Sequence, residues 1–181
     1  MRAIWTRLAP GIATLALALA SGSVSAQFSS NPCAPGAPSG DFVTGGGFII
    51  VTGDHANFGV AGGCKNDLLW GHLEYVDHNF SPQPGRVHGT EVLQYFADKD
   101  DPKTRWIGGR AEVNGASGFT YCVRVTDNGQ GASDPADTFQ ISVSNGYTAM
   151  GPLMGGNIQL HNPDPDNTPK GDCMDLGKVP A

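Results

Sequence analysis

The fold is decided most clearly by the stretch Phe119–Thr126, which reads Phe-Thr-Tyr-Cys-Val-Arg-Val-Thr. Successive side chains of a β-strand point to opposite faces of its sheet. One face of this stretch would carry Phe119, Tyr121, Val123 and Val125. The opposite face would carry Thr120, Cys122, Arg124 and Thr126. Aromatic and β-branched residues in strict alternation predict a strand with one face against a core.

Similar short segments lie on both sides of this strand, and turn dipeptides such as Asn114-Gly115 and Asn145-Gly146 separate them. No useful window shows helical spacing of apolar residues without an interrupting Gly or Pro. The predicted strands cover 42–51, 56–60, 68–76, 87–96, 105–113, 119–126, 138–143, 147–153 and 157–161. The sequence therefore predicts an all-β fold, a single antiparallel β-sandwich or flattened barrel of about eight to nine short strands.

Residues 1–26 have the pattern of a signal peptide. Arg2 and Arg7 flank the start of an apolar run, residues 12–20, and Val24-Ser25-Ala26 resembles a cleavage site. We expect export to the periplasm or the extracellular space. The remaining chain divides into a Ser/Pro/Gly linker (27–40), the β-sandwich domain (41–161) and a Pro/Asp-rich tail (162–181) that we expect a disulfide to hold.

The charge of the chain limits its partners. Cleavage after residue 26 would leave 9 basic and 17 acidic residues, a formal charge of −8. Nucleic acids and anionic membrane surfaces attract positive charge, so neither is an expected partner. No second long apolar stretch follows residue 26, and we expect no membrane insertion.

Four cysteines in an exported chain indicate disulfides, and three pairings are open. We favour Cys33–Cys173 with Cys64–Cys122. The first bridge would join two otherwise loose ends, and the second would cross the core. Because Cys122 lies on the face opposite Tyr121, the tail could cover it. The absence of a Cys-x-x-Cys spacing disfavours a redox pair or a Cys-ligated metal.

The histidines are the best candidates for chemistry. Three or four imidazoles with a carboxylate can hold zinc or copper, and the candidate ligands are His72, His78, His88 and His161. Glu74 or Asp77 could orient one imidazole. The alternative interpretation is that these histidines are ordinary sheet-surface residues or hydrogen-bond partners. Acidic residues at 98–101 and in the tail could bind calcium but lack the EF-hand pattern. No cofactor is expected otherwise.

Two tryptophans, Trp70 and Trp106, could form a stacking platform for sugars, although most aromatic residues in a sandwich of this size belong to the core. The chain has no Gly-x-Ser-x-Gly nucleophile elbow, P-loop or dinucleotide fingerprint. We therefore expect a non-enzymatic protein and assign no catalytic residue.

Several short motifs occur in a characteristic order between residues 41 and 161. They are Val43-Thr44-Gly45-Gly46-Gly47, Ala56-Asn57-Phe58-Gly59, Gly71-His72-Leu73-Glu74-Tyr75-Val76-Asp77-His78, Val87-His88-Gly89, Ile107-Gly108-Gly109-Arg110-Ala111, Val125-Thr126-Asp127-Asn128-Gly129 and Gly155-Gly156-Asn157-Ile158-Gln159-Leu160-His161. This order resembles the post-COAP family, secreted bacterial β-rich domains that often follow choice-of-anchor modules in surface proteins. The resemblance implies a location and an architecture but no reaction.

Together these features predict a secreted structural or recognition module of the bacterial envelope or its surroundings, with a glycan or a surface protein as its ligand. A carbohydrate-binding module that uses Trp70 or Trp106 and a His-ligated metalloprotein are the two alternatives. The sequence leaves the oligomeric state open.

Overall fold

The computed structural model describes residue 33 and residues 40–65, 68–79 and 85–176. The predicted signal peptide, most of the predicted linker and the last five residues of the tail lie outside the described residues. Within the described ranges there is no helix of the length and apolarity that a bilayer crossing requires.

Nine antiparallel strands form one sheet, which confirms the predicted all-β fold class. They are β1 (Phe42–Val51), β2 (Asp54–Lys65), β3 (Leu68–Asp77), β4 (Gly85–Ala97), β5 (Thr104–Val113), β6 (Ala116–Thr126), β7 (Thr138–Val143), β8 (Thr148–Pro152) and β9 (Gly155–His161). Their order across the sheet is β8-β7-β6-β5-β4-β3-β2-β1-β9. Neighbours in the chain are thus neighbours in the sheet, except that β9 pairs with β1.

The sheet curls until its two edges approach each other. Only Leu153 and Met154 separate β8, at one edge, from β9, at the other. The Met154 amide donates to the carbonyl of Phe48 on β1 at 3.0 Å, and the Leu153 amide donates to the carbonyl of Asp137 at 2.8 Å. The result is a flattened barrel, whose interior holds the core.

The core consists of the inward-facing side chains of all nine strands. Its largest members include Tyr75, Tyr95, Tyr121, Phe139, Ile49, Leu73, Ile107, Ile141 and Ile158. Alternation along each strand places the other set of side chains on the outer face, which carries the candidate site.

One ion pair is fully enclosed near the start of β1. Arg105 Nη2 lies 2.5 Å from Asp41 Oδ2, and the two side chains are 0% and 2% exposed. Tyr95 and Thr168 also donate to the Asp41 carboxylate, at 2.7 and 2.9 Å. Burial raises the pKa of Asp41, but the hydrogen bonds from Arg105, the Asp164 amide and Tyr95 outweigh it, so this pKa is lowered. The network joins β1, β4, β5 and the tail.

The favoured disulfide pairing is wrong, because the bridges are Cys33–Cys64 and Cys122–Cys173. Phe42 at the start of β1 pairs with Gly63, so the chain before β1 emerges beside Cys64. Cys122 points outward from β6, four strands or about 19 Å along the sheet from β2. A disulfide requires Cα atoms within about 7 Å, which the tail satisfies by covering Cys122 with Cys173.

Candidate metal centre

Three potential metal ligands converge on the outer face of the sheet. His72 and Glu74 are two residues apart on β3 and therefore share a face. The antiparallel register of β3 and β4 places His88 directly opposite Glu74. Directly opposed residues have Cβ atoms about 4.5–5.5 Å apart, so strand pairing alone brings these two side chains into contact.

The ligand atoms are close enough to share one ion. One ligand atom from each of His72, Glu74 and His88 lies within 4.8 Å of the other two. Glu74 Oε1 is 2.5 Å from His88 Nδ1 and 3.7 Å from His72 Nε2. Zinc bonds of about 2.0–2.1 Å at tetrahedral angles separate ligand atoms by about 3.3 Å, a value between these two distances. Both pairs that involve Glu74 are therefore near the separation that zinc requires.

The site is accessible. The side chains of His72, Glu74 and His88 are 53%, 33% and 38% exposed, so an ion held by them would keep a side open to solvent. Structural zinc sites are usually closed by four protein ligands, whereas sites that bind an exchangeable molecule have three and an open position. The three ligands here match the second kind.

The Glu74 carboxylate is held in its ionised form. Partial burial raises the pKa of Glu74. The hydrogen bond from His88 and the charges of His88 and Arg86 lower it by more, so the pKa of Glu74 is below its ordinary value. Arg86 Nη2 lies 3.3 Å from Glu74 Oε2, and the Arg86 side chain is 60% exposed. Because Arg86 is mostly exposed, its side chain could swing away from Glu74 if a cation bound there.

The structure places the other two predicted histidine ligands elsewhere. His78 follows the end of β3, six residues or about 20 Å of extended chain from His72, and its Nε2 contacts Asn57 Oδ1 at 3.0 Å. His161 lies on β9, three strands or about 14 Å along the sheet from β3. Its ring stacks on Phe42 and hydrogen-bonds Thr44.

The sequence predicts Glu74 as a residue that orients a histidine, whereas the structure makes its carboxylate the centre of the cluster. The alternation of His72 and Glu74 is visible in the sequence. The partner position His88 depends on the register across the β3–β4 connection, for which the sequence carries no signal.

The two candidate tryptophans lie on β3 and β5, with β4 between them. Trp106 donates from Nε1 to Asp98 Oδ2 at 2.7 Å, and the Arg124 guanidinium lies 5.6 Å from its ring centroid. Trp70 packs against Phe42 at 5.8 Å between ring centroids. Both indoles are half-buried and contact their own neighbours, and the structure does not bring them together.

The acidic residues at 98–101, which are candidate calcium ligands, hydrogen-bond to the backbone of their own loop. Asp98 Oδ1 accepts hydrogen bonds from the amides of Asp100 and Asp101 at 3.0 and 3.2 Å. Among the residues that the structure describes, His72, Glu74 and His88 form the one group with metal-ligand spacing.

Two imidazoles and a carboxylate form a ligand set that zinc and copper accept. No family model, no curated protein and no solved structure matches this chain. The case for metal binding therefore rests on the positions of the three ligands and not on a known relative.

Proposed function

We propose that this protein is an exported recognition module that binds a zinc or copper ion through His72, Glu74 and His88. The observation that carries the proposal is the convergence of three ligand atoms within 4.8 Å on one outer face. The rigid pairing of β3 with β4 supports it, because metal ligands on strands are held more precisely than ligands on loops.

Export is supported by two independent features. The two disulfides are typical of proteins from oxidising compartments. The first 26 residues have the pattern of a cleaved signal peptide. The order of motifs between residues 41 and 161, which resembles the post-COAP family, is consistent with the same location.

The test is the metal content of the untagged, exported, disulfide-bonded protein. After incubation with zinc or copper and dialysis without chelator, mass spectrometry should find about one equivalent per chain. His72→Ala and His88→Ala should lose the bound metal. His78→Ala is the matched control, because it removes an exposed imidazole outside the cluster, and it should retain one equivalent.

Circular dichroism spectra would establish that each variant is folded. Metal-free wild-type protein, or equal metal content in wild type and in folded His72→Ala and His88→Ala, would overturn the proposal.

A further inference from the structure

A groove lies beside the metal cluster on the same outer face. Its volume is about 350 Å³, and its side-chain walls are Phe48, Asn57, Glu74 and Val76. Gly59 forms the floor between Gly46 on β1 and Glu74 on β3, and Asn57 lies between Phe48 and Val76 in the adjacent row. Small-molecule sites typically have volumes of about 300–1,000 Å³, so the groove is large enough for a small ligand.

Most glycines within the strands are required by close packing. A Cβ on Gly62 would lie 2.8 Å from Ile107 Cδ1, and one on Gly108 would lie 2.8 Å from Cys173 Cβ. Either contact is too short for real atoms, so the fold itself explains why these two positions have no side chain.

Gly59 has no such explanation. Within the described part of the chain, no heavy atom lies within 4 Å of a Cβ placed on Gly59, and its φ is not in the left-handed region. Its partner across the β1–β2 ladder is another outward-facing glycine, Gly46. A glycine weakens a strand unless a bulge or a closely approaching molecule requires it. The bare floor at Gly59 thus points to a ligand that contacts the backbone.

The chemistry of the walls selects the kind of ligand. Phe48 and Val76 offer apolar surface, whereas Asn57 and Glu74 offer an amide and a carboxylate. None of the described residues that line the groove carries a positive charge, and the chain is acidic overall, so an anion is disfavoured. Sugars present C–H faces to apolar walls and hydroxyls to carboxylates and amides.

We propose that this groove binds a neutral saccharide, which lies on Gly59, packs against Phe48 and Val76 in the adjacent row of side chains and donates hydroxyl hydrogen bonds to Glu74. This proposal goes beyond metal binding, because its floor and apolar walls lie outside the cluster. It also differs from a platform at Trp70 or Trp106, neither of which lines the groove.

The test is titration of the disulfide-bonded, isotope-labelled protein with neutral hexasaccharides of glucose, xylose and N-acetylglucosamine, with polygalacturonate as the anionic comparison. Each titration is performed with EDTA and again with zinc. Amide resonances of Phe48, Gly59 and Val76 should shift with at least one neutral probe and not with polygalacturonate. No shift with any neutral probe at millimolar concentration would overturn the proposal.

Gly59→Val is the decisive variant, because it fills the floor with a side chain that suits a strand. It should weaken saccharide binding at least tenfold without lowering the melting temperature. Thr148→Val on β8 is the control, since it also places a valine at an exposed strand position but outside the groove, and it should bind as the wild type does. Unchanged binding by folded Gly59→Val would also overturn the proposal. Because metal content is measured separately, failure of the saccharide proposal and failure of the metal proposal can be distinguished.

Discussion

The Glu74 carboxylate contacts Arg86, which would compete with the proposed metal ion. Replacing Arg86 with Gln would remove a cation that lies 3.3 Å from Glu74 Oε2. Exposed ion pairs are weak, so we expect Arg86→Gln to bind zinc about two- to fivefold more tightly than the wild type. Competition with a chromophoric zinc chelator would measure the change.

Arg110→Gln provides the matched control for Arg86→Gln. Arg110 pairs with Glu91 at 3.5 Å and is 67% exposed, so its removal changes the net charge equally without touching Glu74. Equal zinc affinities of the two variants would show that Arg86 acts only through net charge, against the prediction.

The buried Asp41 makes stability depend on pH. Its pKa is lowered in the folded protein, whereas the unfolded chain has the ordinary value of 3.8. The unfolded state therefore takes up a proton first as the pH falls, and stability is lost below about pH 4 until the folded pKa is passed. Urea unfolding at pH 7, 5, 4 and 3 should show a free energy of unfolding that falls mainly between the last two values.

Asp41→Asn tests the origin of this pH dependence. The variant leaves Arg105 buried without its counter-ion and should be less stable at pH 7 by about 3–5 kcal/mol. It should also lose part of the decrease in stability between pH 4 and 3, because Asn does not titrate. A decrease as steep as that of the wild type would assign the acid sensitivity to other carboxylates.

Individual strands could be predicted from the sequence, but their partners could not. The alternation in Phe119–Thr126 correctly placed Cys122 on the face opposite Tyr121, and the structure covers it with the tail. The predicted partner of Cys122, Cys64, is wrong because pairing depends on which parts of the chain become neighbours in the sheet. For the same reason the sequence cannot distinguish His88, which lies opposite Glu74, from His78 and His161, which lie elsewhere.

The tail is held against β6 by the Cys122–Cys173 bridge and by a hydrogen bond from Thr120 Oγ1 to the Leu176 carbonyl. The double variant Cys122→Ser, Cys173→Ser should release the tail after Gly171 and lower the free energy of unfolding by about 2–5 kcal/mol. The preceding part stays bound through Thr168 to Asp41 and through Gly171 to Ala97, so limited proteolysis should then cut within residues 172–176. The double variant Cys33→Ser, Cys64→Ser should leave the tail protected. A non-reducing peptide map that joins Cys33 to Cys173 would contradict this arrangement.

At the scale of the whole molecule, an all-β sandwich or flattened barrel followed from the sequence, but the two strands at the seam of the barrel did not. Only two residues separate β8 from β9, a spacing typical of a tight hairpin. The two strands nevertheless pair with β7 and β1, at opposite edges. The residues between β8 and β9 do not determine that these strands pair with β7 and β1. That pairing depends on burying the inner faces of all nine strands together.

Closure predicts that the barrel unfolds as one unit and that Leu153 is critical to it. Leu153 is 1% exposed in the link between the two edges, so Leu153→Ala should cost about 2–5 kcal/mol. Met154 is 57% exposed, and Met154→Ala should change stability by no more than about 0.5 kcal/mol.

Tryptophan fluorescence, from Trp70 on β3 and Trp106 on β5, and far-ultraviolet circular dichroism should give one unfolding midpoint in both variants. Separate midpoints in Leu153→Ala would mean that β8 and β9 detach from a sheet that remains folded, and that the seam does not hold the barrel together.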